Sequence, residues 1–272
     1  MLRLWLTPRW LLMTVVAILF GVACWMLGSW QWGRHVEQRT KVTAIEQNYE
    51  ATPVPIATVL GHLVGTDGSG AGLTAEEQWT RVTLRGSYRP GPDLMVRNRT
   101  QDQTVGFEVL TPFTADGLTI LVDRGWVPNA REAESTPSAD PPPSGQVEVV
   151  GWLRTGEPDL GRDLPAPQLA SISISDSRAR IPELSDVDAY VVLGSQTPSP
   201  SAGGHPVAPL PRPDEGLGPH QAYAIQWWLT MPAGLVFVWF AIRRQTVQSA
   251  EGSQEAATAK PKKVRIWDEE DA

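Results

Sequence analysis

The chain has 272 residues, with 23 Lys and Arg against 30 Asp and Glu, a formal net charge of −7 and one cysteine, Cys24. The acidic balance excludes nucleic-acid binding as a general activity, because phosphate recognition needs a concentrated basic surface. A single thiol excludes an intramolecular disulfide and a thiolate metal cluster. Mean hydropathy is slightly negative, yet the apolar residues gather near the two ends, while the middle is rich in Gly, Pro, Ser and Thr.

Residues 1–9, with Arg3 and Arg9, read as a short cytoplasmic N-terminus. From Trp10 to Trp30 no side chain is charged. At 1.5 Å per residue such a helix covers the roughly 30 Å hydrocarbon core, so residues 10–33 are assigned as the first span. The run continues through Cys24, Trp25, Met26 and Leu27 without a small-residue cleavage site, which predicts an uncleaved anchor with Cys24 as a buried structural thiol. Residues 34–50 carry Val42, Ile45 and Tyr49 at helical spacing among charges, so the span extends as an amphipathic helix.

Residues 34–221 form the expected extracytoplasmic domain. A Gly-rich stretch at residues 57–75 reads as a loop. Val82, Leu84 and Tyr88 then alternate with Arg81, Thr83 and Arg85, the period of a half-exposed strand. Short runs of the same kind occupy residues 93–97, 107–113, 118–122, 147–153 and 189–193. Asp116-Gly117 marks a hairpin between two of them. Strands at this spacing, with no long helices between, predict a mainly antiparallel barrel or sandwich. The Pro-rich stretches at residues 132–144 and 197–219 are expected to be exposed, irregular connections.

Residues 222–242 form the second uncharged run, with Pro232 inside it. Arg243 and Arg244 follow at once, and Lys260, Lys262, Lys263 and Arg265 come later, so both termini are expected in the cytoplasm. Trp30, Trp32, Trp227 and Trp228 suit the headgroup boundary. The tail, residues 243–272, is expected to be disordered. Its Val264, Ile266 and Trp267 are either a docking peptide or part of a solvated tail. The whole is an α+β membrane protein, two transmembrane helices flanking a β-rich domain.

No zinc-protease histidine pair, phosphate-cradling loop or glycine-flanked nucleophilic serine is present, so the sequence does not read as an enzyme. His62 and His205 fall in loops. His35 and His220 fall at the boundaries of the two spans, where a neutral imidazole serves either as an interfacial hydrogen-bonding group or as a ligand to haem iron.

Four sets of motifs, in order, resemble the Surfeit locus family of cytochrome c oxidase assembly proteins. The first is Leu27-Gly28-Ser29-Trp30-Gln31-Trp32-Gly33-Arg34. The second is Arg97-Asn98-Arg99 leading to Gly106-Phe107 and Thr111-Pro112-Phe113. The third is Ile120-Leu121-Val122-Asp123-Arg124-Gly125-Trp126-Val127-Pro128, and the fourth runs from His220-Gln221-Ala222-Tyr223 to Gln226-Trp227-Trp228. Asp123 stands where the family commonly has Asn, and the Gly- and Pro-rich insertions and the tail are long. Gly125 suits a bulge, Gly106 a turn and Trp126 a cap on the core.

The resemblance implies a chaperone-like role in maturing the haem-copper oxidase, assisting insertion of haem a into its catalytic subunit, with transient haem binding at His220 as the metal ligand. Arg34 and Arg124 either pair with haem propionates or acidic partner residues, or form internal salt bridges. Tyr223 either bonds the macrocycle's polar edge or locks the spans together. Trp30, Gln31, Trp32, Gln226 and Trp227 are the expected partner-facing residues. The alternatives are an accessory subunit bound stably to the oxidase or a respiratory supercomplex, and a membrane-tethered extracytoplasmic binding domain. With the first span starting almost at Met1 and no transit peptide before it, a bacterial plasma membrane is the expected location.

Overall fold

The computed structural model describes residues 5–60, 72–130, 135–201 and 203–258. Arg3, His62, the Gly68–Gly70 run and the charged tail beyond residue 258, including Lys260 to Arg265 and Trp267, lie outside the described residues. The chain divides into two compact units, residues 1–37 with 217–272, and residues 38–216.

Helix α1, Pro8–Asn48, is continuous for 41 residues, so the predicted span and its amphipathic extension are one element. Pro8 sits at its start, where a missing N–H costs nothing. Next come strand β1 (Val54–Pro55), helix α2 (Ile56–Leu60), strands β2 (Arg81–Tyr88), β3 (Leu94–Gln101), β4 (Thr104–Ala115), β5 (Leu118–Pro128), β6 (Val147–Arg154) and β7 (Gln168–Leu169), helix α3 (Ile174–Arg180), strand β8 (Tyr190–Thr197), and helices α4 (His220–Thr230) and α5 (Ala233–Thr258). The second apolar run is thus two helices, parted where Pro232 removes a backbone donor. Residues 245–258, expected to be disordered, belong to α5. α1, and α4 with α5, are long and apolar enough to cross a membrane.

In the helical unit Trp10, Thr14, Ala17, Gly21, Cys24, Gly28, Gln31 and His35 of α1 are buried or half-buried, with Ser29 half-buried beside them. Their spacing alternates between four and three residues, the heptad of a two-helix seam. Facing them on α4 and α5 are His220, Ala224, Trp228, Gly234, Val238, Ile242 and Gln245, none of them fully exposed. Small residues bring the helices close: a Cβ on Gly234 would lie 3.2 Å from Ala17 Cβ, and one on Gly28 would overlap the Trp228 indole. Leu12, Val16, Leu19, Phe237 and Phe240 point away from the seam and are exposed. In a bilayer these are the lipid-facing side chains.

The β unit resolves the choice between barrel and sandwich. The sheet order is β1-β2-β6-β8-β5-β4-β3-β7, and β2 also pairs with β4 through Ser87↔Thr114 and Tyr88↔Phe113. The ring β2-β6-β8-β5-β4 is therefore closed, a five-stranded barrel with no free edge inside the ring. All its pairings are antiparallel except β5 with β8. Inward residues Val82, Leu84, Phe113, Ile120, Val122, Val149, Leu153 and Val191 fill the interior. The last turns of α1 place Ile45 and Tyr49 in a second core over Leu110, Leu121 and Tyr190. Tyr49 stacks on Trp152 at 4.2 Å, and the Trp152 indole donates to the Tyr49 carbonyl at 2.8 Å.

The Pro-rich connections are more ordered than expected. Asp140 accepts from the backbone N–H groups of Gly203 at 3.1 Å and His205 at 2.8 Å, and Trp126 and Ala208 exchange backbone hydrogen bonds at 2.8 Å. One carboxylate thereby ties the two stretches together, with backbone pairing to β5 behind it.

Candidate functional site

The four motif sets assemble into two sites, one in each unit. In the β unit Asp123, Arg124 and Gly125 form a bulge, since the register shifts between Glu108↔Trp126 and Leu110↔Asp123. Gly125 has φ +126°, and its N–H donates to Asp123 Oδ1 at 3.1 Å. A Cβ at Gly125 would collide with the Ala208 carbonyl, so this bulge needs glycine. Trp126 lies over Gly106 and donates its indole N–H to the Arg99 carbonyl at 2.9 Å. Gly106 is accordingly a platform inside β4 and not the turn expected of it. The turn before β4 is Asp102-Gln103, both residues at positive φ.

Arg99 joins this knot to two acids. Its Nη2 meets Glu157 Oε2 at 2.5 Å, and its Nε lies 2.9 Å from Glu108 Oε2, off line for a hydrogen bond, so the second contact is charge pairing. Burial pushes Glu108 above the usual carboxylate range despite Arg99. Asp123 is raised much further, first by burial and then by the Glu108 charge. Burial pushes Glu157 the same way, but the hydrogen bonds from Arg99 and the Ile172 N–H outweigh it and leave the group lowered.

Arg124 is 3% exposed and its Nη1 lies 3.3 Å from Asp93 Oδ2; its other Nη donates to the Asp140 carbonyl. Thr111 donates to Asp93 Oδ1 at 2.5 Å. Of the two roles open to Arg124, the internal salt bridge is the one the structure contains. The same unit holds an open cleft of about 550 Å³ whose walls include Lys41, Trp79, Arg154 and Glu157, with the Arg154 guanidinium 4.2 Å above the Trp79 ring.

The helical unit unites the first and fourth motifs. His220 opens α4, and its Nδ1 lies 2.9 Å from Gln31 Oε1 on α1. His35, one turn beyond Gln31 on the same seam, is 6% exposed with Nδ1 unpartnered. Trp32 stands 5.4 Å from the His35 ring and 5.8 Å from Trp228. Just before His220, Gly218 has φ +64°, and a Cβ there would stand 3.3 Å from His220 Cδ2 and 3.5 Å from Nε2. The missing side chain leaves that edge of the imidazole open.

Other expected site residues are distributed differently. Arg34 is half-exposed and pairs with Glu37 at 2.9 Å. Tyr223, 46% exposed, and exposed Gln226 lie off the seam, as does Trp30 at 60% exposed. Trp227 is half-buried, and Gln31 faces inward. Sequence reasoning missed Gly218 and the seam role of Gln31. The heptad of small and polar residues was the available signal. Among the described residues no group of three or more His, Cys, Asp or Glu is placed to hold a metal ion.

Two helices of membrane-spanning length packed along a small-residue seam, with a closed β barrel between them in the chain, define a membrane-anchored β-barrel protein. The family model described as SURF1 family matches residues 18–231. A SURF1-like protein of Mycobacterium tuberculosis, itself described as uncharacterized, is 30% identical over 257 residues, covering 91% of this chain and 90% of the relative. Surfeit locus protein 1 of Xenopus tropicalis is 25% identical over 256 residues, covering 85% and 74%, and that of Homo sapiens is 23% identical over 252 residues, covering 85% and 76%. The chain belongs to the SURF1 family, as its motifs implied.

Proposed function

We propose that this chain assists assembly of the haem-copper cytochrome c oxidase by holding haem a transiently for insertion into the catalytic subunit, with His220 as the iron ligand. The observation that carries this reading is the His220 ring, engaged at Nδ1 and open at Nε2 beside Gly218. Haem iron is a Lewis acid that takes an imidazole lone pair. His220 offers that lone pair at a fixed position, and Trp32 and Trp228 supply apolar surface nearby. Arg34 is three residues from Gln31, and its exposed pair with Glu37 is worth about 0–1 kcal/mol, so its guanidinium exchanges readily for a propionate. Arg124 takes no part, being spent on Asp93.

The reading places the β unit outside a bacterial plasma membrane and both termini in the cytoplasm, supported by Arg9 before the first span and Arg243 and Arg244 after the second. Deleting the gene and recording the oxidase's haem a absorbance tests the role: loss of haem a is expected, and an unchanged spectrum refutes it. A stably bound accessory subunit is the second reading, favoured by Trp30, which is 60% exposed at the end of the span. Retention of the chain on gently purified oxidase at one copy per complex separates it from a transient helper.

A further inference from the structure

We infer that Gln31 is a positioning residue for His220, holding the imidazole in the tautomer that leaves Nε2 free to bind a metal. The tautomer stands on geometry alone, and only its consequence for haem affinity rests on the function proposed above.

The carboxamide oxygen of Gln31 is an acceptor only, and it faces His220 Nδ1 at 2.9 Å. Nδ1 must therefore carry the proton, which puts the lone pair of the neutral ring on Nε2. Left to itself, a neutral histidine side chain favours the opposite tautomer, with Nε2 protonated and closed to metals. Metal-ligating histidines elsewhere are fixed in the same way, by donating the second ring N–H to a carbonyl or carboxylate.

The position of Gln31 in the fold supports this assignment. Gln31 is not a surface residue that happens to reach across: it occupies the seam, one step beyond Gly28 and one before His35. A polar side chain there replaces an apolar one that would pack as well, and it is tolerated because His220 satisfies it. A matching pin closes the other end of the seam, where the Trp10 indole donates to Gln245 Oε1 at 3.0 Å. Gln245 meets an indole, which has no tautomer to set. Gln31 meets an imidazole, so its choice of oxygen over amide nitrogen decides which ring atom is available. The charged and titratable neighbours on α1 are His35, buried with Nδ1 unpartnered, and the Arg34–Glu37 pair. None of them is bonded to His220 Nδ1.

The alternative is that Gln31 merely fixes helix register, and the two roles separate experimentally. Full-length protein labelled with ¹⁵N-histidine, in micelles above the imidazole pKa, is read by long-range ¹H–¹⁵N correlation, with the His220 signal assigned by its loss in His220→Ala. The expected result is Nδ1–H in the wild type and in Gln31→Glu, which keeps an acceptor oxygen, and Nε2–H in Gln31→Leu. A wild-type Nε2–H ring, or the same tautomer in wild type and Gln31→Leu, overturns the inference. In haem a titrations Gln31→Leu is expected to bind about 10–100-fold more weakly, while Gln31→Glu retains affinity and lowers the reduction potential of the bound haem. Equal affinity of wild type and Gln31→Leu overturns the link to binding. A wild type that takes up no haem a refutes the proposed function instead, and the tautomer result still decides the role of Gln31.

Discussion

Replacing Arg124 by Met keeps much of the side-chain volume and removes the charge facing Asp93. The pair is enclosed, at 3% and 16% side-chain exposure, so Asp93 is left as an uncompensated charge beside a Thr111 hydroxyl. Breaking a buried pair from one side costs about 3–5 kcal/mol. The charge part has a ceiling, because Asp93 can take up a proton. From an ordinary pKa near 3.9 that costs about 4 kcal/mol at pH 7, and less here because burial already raises the group. We expect a loss of about 3 kcal/mol, which for a unit of this size lowers Tm by about 6–12 °C. The measurement is thermal unfolding of the detergent-solubilised full chain, followed by near-ultraviolet circular dichroism. In the variant the folded state holds a proton that the unfolded state releases, so stability falls as pH rises, by about 1.4 kcal/mol per unit above the unfolded pKa. Adding Asp93→Asn removes the stranded charge and should recover roughly 2 kcal/mol. A Tm drop under 2 °C, or a double variant no better than the single one, refutes the reasoning and returns Arg124 to the candidates for binding propionates.

The other expectations concern the same knot. Asp123→Asn keeps an acceptor for the Gly125 N–H and removes a group whose folded pKa is raised by burial and by Glu108. A raised acid stabilises most below its unfolded pKa and loses that contribution as pH climbs toward the folded value. The Asn variant should therefore gain on the wild type between about pH 4 and pH 7, as read from Tm against pH; a gain that shrinks over that range contradicts the assignment. Gly125→Ala meets both a φ of +126° and the Ala208 carbonyl, so a loss of at least about 2 kcal/mol is expected from urea unfolding, and a neutral result would mean the bulge is not as described.

Part of the barrel was legible because strands β2 and β6 alternate on a period of two and Asp116-Gly117 is a turn dipeptide with both residues at positive φ. The turn at Asp102-Gln103 was not, because it contains no glycine. Barrel closure through Tyr88 and Phe113 was equally hidden, since pairing between distant strands leaves no local pattern. The spans declared themselves by length and lack of charge. Their seam did not, because apolar residues surround α1 and mask a heptad that is written in small residues, from Ala17 to Gly28. Arg34 to Tyr49 could be read as helical from its amphipathic spacing, whereas residues 245–258 carry Val247 as their only large apolar side chain and gave no such signal. The Arg99 knot draws on Glu108, Asp123, Trp126 and Glu157, which converge only once β3, β4 and β5 are paired. His220 was legible from its place at the span boundary and from the family motif; its partner Gln31 was not, because the heptad that places it in the seam is masked by the surrounding apolar residues.

The most direct measurement is a haem a titration of purified full-length protein and of His220→Ala, read in the Soret and α bands. Saturable binding of about one haem per chain is expected in the wild type, and loss of the iron–imidazole spectrum in the variant, which should unfold cooperatively but at a somewhat lower temperature because Gln31 loses its partner. A wild type that binds no haem a, or a variant that binds it with an unchanged spectrum, would contradict the claim that His220 is the iron ligand.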